Sequence, residues 1–119
     1  MSYKIKELMA QFTFGGKEMT TPRAVTWQTT LEKHAPETLK QITGLRETVL
    51  ADGALSLKTK TLMMMLCDAL LGHADGVANI ARSARNLGAS EGEVAETVAV
   101  AFLMGGMPGL VTGANAFRD

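Results

Sequence analysis

Residues 66–90, LCDALLGHADGVANIARSARNLGAS, place a thiol, an imidazole and two carboxylates between positions 67 and 75: Cys67, Asp68, His73 and Asp75. His73 is the one acid–base group of the set that titrates near neutral pH, so it is the candidate for moving a proton. The plainer role for it is a helix-start histidine bonded locally. Asp75 follows two positions later, where a carboxylate complements the start of a helix. Its sharper role is to orient a substrate or the His73 ring. Two residues apart on one helix do not face each other, so a direct Asp75–His73 pair requires the helix to begin after His73.

Cys67 is the only cysteine. A reactive thiol needs nearby positive charge or a helix N-terminus. Here the neighbours are the apolar run Leu62–Leu66 and the acidic Asp68, so the expectation is an inert core thiol. Asp68 interrupts an apolar helix and needs a partner or solvent; Lys60, Arg82 and Arg85 are the candidates. No His or Cys recurs at metal-ligand spacing, so no metal and no cofactor is expected.

These groups need helices to position them. β-branched and polar residues nowhere alternate cleanly, whereas helical periods recur. The segment MSYKIKELMAQF reads as a short helix and TFGGKEMTTP as loop. RAVTWQTTLEKH reads as a second helix, with Trp27 and Leu31 one turn apart. Pro36 suits a first helical position; from it, Leu39, Ile42, Leu45, Val49 and Leu50 form one face, with Gly53 as the expected terminator. Ser56 caps a helix that is apolar nearly all round beyond Lys60, and should therefore be central. Gly72 breaks it. Val77, Ile80, Ala81, Ala84 and Leu87 then make one stripe, and Gly88 ends it. Ser90 with Glu93 is a capping box opening another apolar helix; Pro108 starts the last. Steps of three, four and seven put His73, Gly76, Val77 and Ile80 on a single face.

The expectation is therefore an all-α single domain of five to seven helices. The chain has 119 residues, 46% of them apolar, which suits one packed core. Twelve basic and twelve acidic side chains cancel, which argues against nucleic acid. The longest apolar run, VAVAFLMGGMPGLV, is interrupted by Gly105, Gly106 and Pro108 and is too short to span a bilayer, so no membrane is expected. One unpaired thiol and no secretory leader point to the cytoplasm. Eight methionines suggest adaptable apolar faces buried between subunits.

Leu55, Lys58 and Lys60, then Leu87-Gly88-Ala89-Ser90, Glu93, and Gly106-Met107-Pro108 resemble, in order and spacing, the carboxymuconolactone decarboxylase and alkylhydroperoxidase D superfamily. The resemblance covers about residues 36 to 117. It implies an alkylhydroperoxidase D-like helical bundle at 36–119, with residues 1–35 as a helical extension packing on the core or a neighbouring subunit. It also implies a homo-oligomer, trimer or hexamer, and a small-molecule pocket on the His73 face, to which Asp75, Gly76, Val77 and Ile80 are assigned. Thiol peroxidases of the superfamily carry Cys-x-x-Cys and, four residues on, a His. Those positions hold His73, Gly76 and Ile80 here, and a Glu position on the preceding helix holds Thr61. Decarboxylase members lack the Cys pair but tend to keep the His, so Ile80 departs from them as well.

Three functions stay open on these residues. One is a lyase-like enzyme acting on a carboxylate or lactone with His73 moving a proton. Another is a non-catalytic oligomer that binds a ligand or partner. The third is a hydroperoxidase using Cys67, against which the missing Cys-x-x-Cys argues.

Overall fold

A computed structural model describes residues 26–119; the helix expected at 1–12 and the loop expected at 13–22 lie outside them. The described chain is all-helical, with five α-helices and a terminal 3₁₀ turn, and divides into two compact units, one ending at Ala51 and the other running from Asp52 to Asp119.

In the first unit, α1 (Trp27–His34) starts on a capping box in which Thr26 and Thr29 each bond the other's backbone. Ala35 separates it from α2 (Pro36–Leu50), with Pro36 at the first turn. The expected face of α2 is buried only at Leu50; Ile42, Leu45 and Val49 are exposed. Gly53 does not cap α2, which ends at Leu50 with Ala51 as its cap residue. Asp52 is withdrawn from the helix because its carboxylate accepts from the Leu57 N–H at 2.7 Å and so serves the next helix instead.

The second unit contains α3 (Leu57–Leu71), α4 (Ala74–Asn86), α5 (Glu91–Gly113) and the 3₁₀ turn Ala114–Phe117. Helix α3 packs against both α4 and α5. It buries Leu57, Thr61, Met65 and Ala69, a single stripe at steps of four. Its uniformly apolar surface predicts burial all round, yet Met63, Leu70 and Leu71 remain exposed within the chain. Helix α4 buries Val77, Ala78, Ile80, Ala81, Ser83 and Ala84. Ser83 belongs to this stripe, against expectation, because its hydroxyl donates back to the Asn79 carbonyl.

Helix α5 is broken rather than continuous. Gly106 (φ 64°, ψ −156°) leaves helical space, and Pro108 restarts the helix. A Cβ at Gly109 would lie 2.7 Å from the Ala101 carbonyl oxygen, and one at Gly113 would lie 3.1 Å from Val98 Cγ1. Residues eight apart on a straight helix stand about 12 Å apart, so the chain doubles back at Gly106 into two antiparallel arms. The stretch Glu91–Phe117 is long and apolar enough by composition to cross a membrane. The break limits its first arm to about 15 residues, roughly 22 Å, short of the roughly 30 Å hydrocarbon layer.

Two ion pairs hold the start of α5. Lys58 Nζ meets both Glu93 oxygens at 3.0 and 3.3 Å, tying the start of α3 to the start of α5. Arg85 clasps Glu91 through two nitrogens at 2.7 and 3.0 Å.

Candidate functional site

The site is built by one turn. Helix α3 ends at Gly72, whose φ of 78° puts it in the left-handed region that closes a helix. The Gly72 N–H and the His73 N–H both donate to the Asp68 carbonyl, the latter at 2.9 Å. This six-to-one closure lays the residue after the glycine over the residue five positions before it. In most such turns the contact between those two side chains is apolar. Here it is an imidazole on a carboxylate: His73 Nδ1 lies 2.9 Å from Asp68 Oδ1. Asp68 is thus bound to His73 twice, through backbone and side chain.

Helix α4 begins at Ala74, so His73 occupies its N-cap position, with no capping bond from its ring. The ring is free to face Asp68. The helix does begin after His73, yet the partner carboxylate comes from the preceding helix, not from Asp75. Nor does Asp68 use Lys60, Arg82 or Arg85. Arg82 bonds Asn79, and Arg85 is committed to Glu91 and the Ala116 carbonyl.

Gly76 makes room for this pair. A Cβ there would stand 2.9 Å from Asp68 Cγ and closer still to Oδ2. The Asp68 carboxylate therefore sits directly against the first turn of α4, where the helix dipole favours negative charge. Its own position in the last turn of α3 is the unfavourable end of that helix, so the turn exchanges a poor electrostatic environment for a good one.

The pair is accessible. The His73 side chain is 58% exposed and that of Asp68 20%. With Nδ1 engaged by Asp68, Nε2 has no hydrogen-bond partner among the described residues. If Nδ1 carries the proton, as a carboxylate partner requires of a neutral ring, Nε2 presents a lone pair outward. That is the arrangement of a general base with its orienting carboxylate.

The remaining candidates are dispersed. Val77 and Ile80 are buried in the helix packing, whereas the Asp75 carboxylate is 87% exposed and accepts from Arg118 Nη2 at 2.9 Å. Thr61, where the resemblance implies a Glu, is fully buried and its hydroxyl donates to the Leu57 carbonyl at 2.8 Å, a purely local bond. Cys67 is exposed, not a core thiol, because the buried stripe of α3 runs through Met65 and Ala69 and passes Cys67 by. Among the described residues no cluster of His, Cys, Asp and Glu is arranged to hold a metal.

The residue that sequence reasoning undervalued is Asp68. The signal was present in DALLGH: a carboxylate, a glycine four residues on to turn the chain left-handed, and a histidine immediately after.

No curated protein and no solved structure matches the chain. The family model that does match describes the Carboxymuconolactone decarboxylase family, over residues 36–119. That span holds the whole Asp68–His73 turn, both Gly-terminated helices and the broken α5, and the chain belongs to the carboxymuconolactone decarboxylase family.

Proposed function

We propose that the protein is a lyase-like enzyme acting on a small carboxylate or lactone, with His73 moving a proton through Nε2 and Asp68 holding the ring. The observation that carries this reading is the 2.9 Å Nδ1–Oδ1 pair, built by a backbone turn and left open to solvent on its other nitrogen. A positioned acid–base group contributes about 10²–10⁴-fold in rate. The role does not require the family's Cys-x-x-Cys, which this chain lacks. It also accounts for an imidazole where those relatives place their first Cys.

The test is a thermal-shift panel of small carboxylates, lactones and hydroperoxide analogues on wild type, His73→Ala and Asp68→Asn. A ligand at about a hundred times its dissociation constant adds roughly 2.7 kcal/mol, a shift of several degrees in a domain of this size. The hit is then assayed for turnover. Full turnover in His73→Ala sinks the proposal.

A second reading draws on Cys67. Its exposure supports a thiol-dependent hydroperoxidase, which would need an external thiol to complete its cycle. Slow, unselective labelling of Cys67 by a thiol reagent rules that out.

We further infer a homo-oligomer, for which the family resemblance suggests a trimer or hexamer. Leu71, Leu103, Met104, Met107 and Val111 are 58–79% exposed, a density of apolar surface that marks an interface. If no ligand shifts the melting point, the same surface supports a non-catalytic oligomer that binds a partner. The single unpaired thiol fits a cytoplasmic setting.

A further inference from the structure

The loop closed by the Gly72 and His73 N–H groups on the Asp68 carbonyl contains Ala69 and Leu70. Both side chains are seated on glycines of α5. Ala69 Cβ lies 3.5 Å from where a Gly113 Cβ would stand. Leu70 Cδ2 lies 2.7 Å from where a Gly105 Cβ would stand and 3.5 Å from that of Gly109. A side chain at position 105 would therefore take the space that the Leu70 methyl occupies. Leu70 also bridges the break in α5, since Gly105 precedes Gly106 and Gly109 follows Pro108. The hydrogen bonds of a solvent-facing helix end compete with water and open readily. Apolar contact inside the closed loop opposes that opening, and Leu70, 41% exposed, supplies it two residues from Asp68 and three from His73.

We propose that Leu70 is a positioning residue of the Asp68–His73 pair: seated against Gly105 and Gly109, it fixes the last turn of α3, and with it the Asp68 carbonyl and carboxylate that hold His73. The inference rests on the functional reading only in treating the pair as the site. A leucine that merely stabilised the fold would, when shortened, weaken both ends of α4 alike. A positioning leucine loosens one end. The molecule carries its own reference for this distinction. The Ala89 N–H donates to the Ala84 carbonyl in the same kind of closure, at the same 2.9 Å, at the opposite end of α4. The ring gives a second signature. Which nitrogen of a neutral imidazole carries the proton is set by its hydrogen bonds. Nδ1 against the Asp68 carboxylate at 2.9 Å favours the proton on Nδ1, whereas a ring released into water favours Nε2.

The experiment compares amide hydrogen exchange at His73 and Ala89 in the full chain by NMR, together with the ring nitrogen shifts of neutral His73, with His34 identified by His34→Gln. In Leu70→Ala the His73 amide exchanges about tenfold faster relative to the Ala89 amide, the size that the lost contact of a half-buried leucine gives to a local opening. The ring proton moves from Nδ1 toward the distribution seen in Asp68→Ala. Gly105→Ala approaches the same contact from the other side. Its methyl meets only the mobile end of Leu70, so the protein stays folded while Leu70 is displaced, and both signals change as in Leu70→Ala. Leu70→Met keeps an apolar chain long enough to reach the glycines and stays near wild type. His73 and Ala89 amides that accelerate together, or a ring proton that stays on Nδ1 in both Leu70→Ala and Gly105→Ala, overturn the proposal. These signals need no substrate. Full turnover in His73→Ala refutes the function and leaves them unchanged, whereas amides that move together refute the role of Leu70 and leave the function standing.

Discussion

His73 lies over Asp68 in the same backbone relation that Ala89 bears to Ala84. In both turns a left-handed glycine, Gly72 or Gly88, is followed by an N–H that donates to the carbonyl five residues back, at 2.9 Å in each. At Gly88 the two side chains brought together are methyl groups, 8% and 0% exposed, and they belong to the core. At Gly72 they are an imidazole and a carboxylate facing solvent. The fold uses one device twice, to pack methyl groups at one end of α4 and, in the proposed function, to hold an acid–base pair at the other.

Asp68→Asn separates these roles. The amide keeps the shape and the backbone closure but no longer holds the ring as a carboxylate does. Turnover of any substrate identified for the site falls, by up to the about 10²–10⁴-fold that a positioned acid–base group contributes. Stability changes by no more than about 1 kcal/mol, because the pair is partly exposed. Urea melts and steady-state rates on one preparation check both halves.

Gly76→Ala places a methyl group against the Asp68 carboxylate. The carboxylate is the mobile end of a side chain and moves away, while α4 gains up to about 1 kcal/mol of helix propensity. The protein stays folded, with a melting point at or slightly above wild type, but the Nδ1–Oδ1 bond is lost. Activity drops as in Asp68→Asn. A Gly76→Ala variant with full activity would show that the carboxylate is not needed.

Gly106 and Gly109 have no such tolerance. The Gly106 backbone, at φ 64° and ψ −156°, is essentially closed to other residues, and a Cβ at Gly109 meets the fixed Ala101 carbonyl oxygen rather than a side chain. Gly106→Ala and Gly109→Ala each cost about 1–3 kcal/mol, read as a fall in the urea midpoint.

Acid weakens the fold through α5. The Arg85 hydrogen bonds hold the Glu91 carboxyl below its ordinary value, and for Glu93 the Ser90 N–H does so first, with Lys58 adding to it. Groups depressed in the folded state stabilise it above their unfolded value, about 4.3 for Glu. That contribution is lost as pH falls through the depressed folded values. The melting temperature therefore drops with a steeper slope below about pH 4.3 than the Glu91→Gln/Glu93→Gln variant shows.

The helical architecture was readable because its punctuation is local. Ser56, Gly72, Gly88 and the Ser90–Glu93 box mark boundaries through bonds within a few residues, and α3, α4 and α5 start where those residues indicate. What misled was context. Gly53 looks like a terminator, but Asp52 is drawn to the Leu57 N–H and ends α2 early. Cys67 sits in an apolar run, but hydrophobicity all round a helix does not say which side its own chain covers. Asp68 was harder because its partner depends on a left-handed turn, a property of Gly72 and not of either side chain.

The uncovered side of α3 and the tip of α5 supply the last prediction. Leu103 and Met104 precede the Gly106 reversal and Met107 follows it; all three are more than half exposed, at 79%, 74% and 58%. Charges placed there leave the packed stripes of Val94, Val98 and Ala101 untouched. If this tip is a subunit interface, Leu103→Lys/Met104→Glu desolvates two charges on association, at a cost of several kcal/mol each unless they are paired. Light scattering then gives an oligomer for wild type and a smaller species for the variant, with far-ultraviolet circular dichroism unchanged. A wild-type monomer refutes the oligomer itself. An oligomer of the same mass in both proteins moves the interface elsewhere, with the Ile42, Leu45 and Val49 stripe of α2, exposed in the described chain, as the next surface to charge.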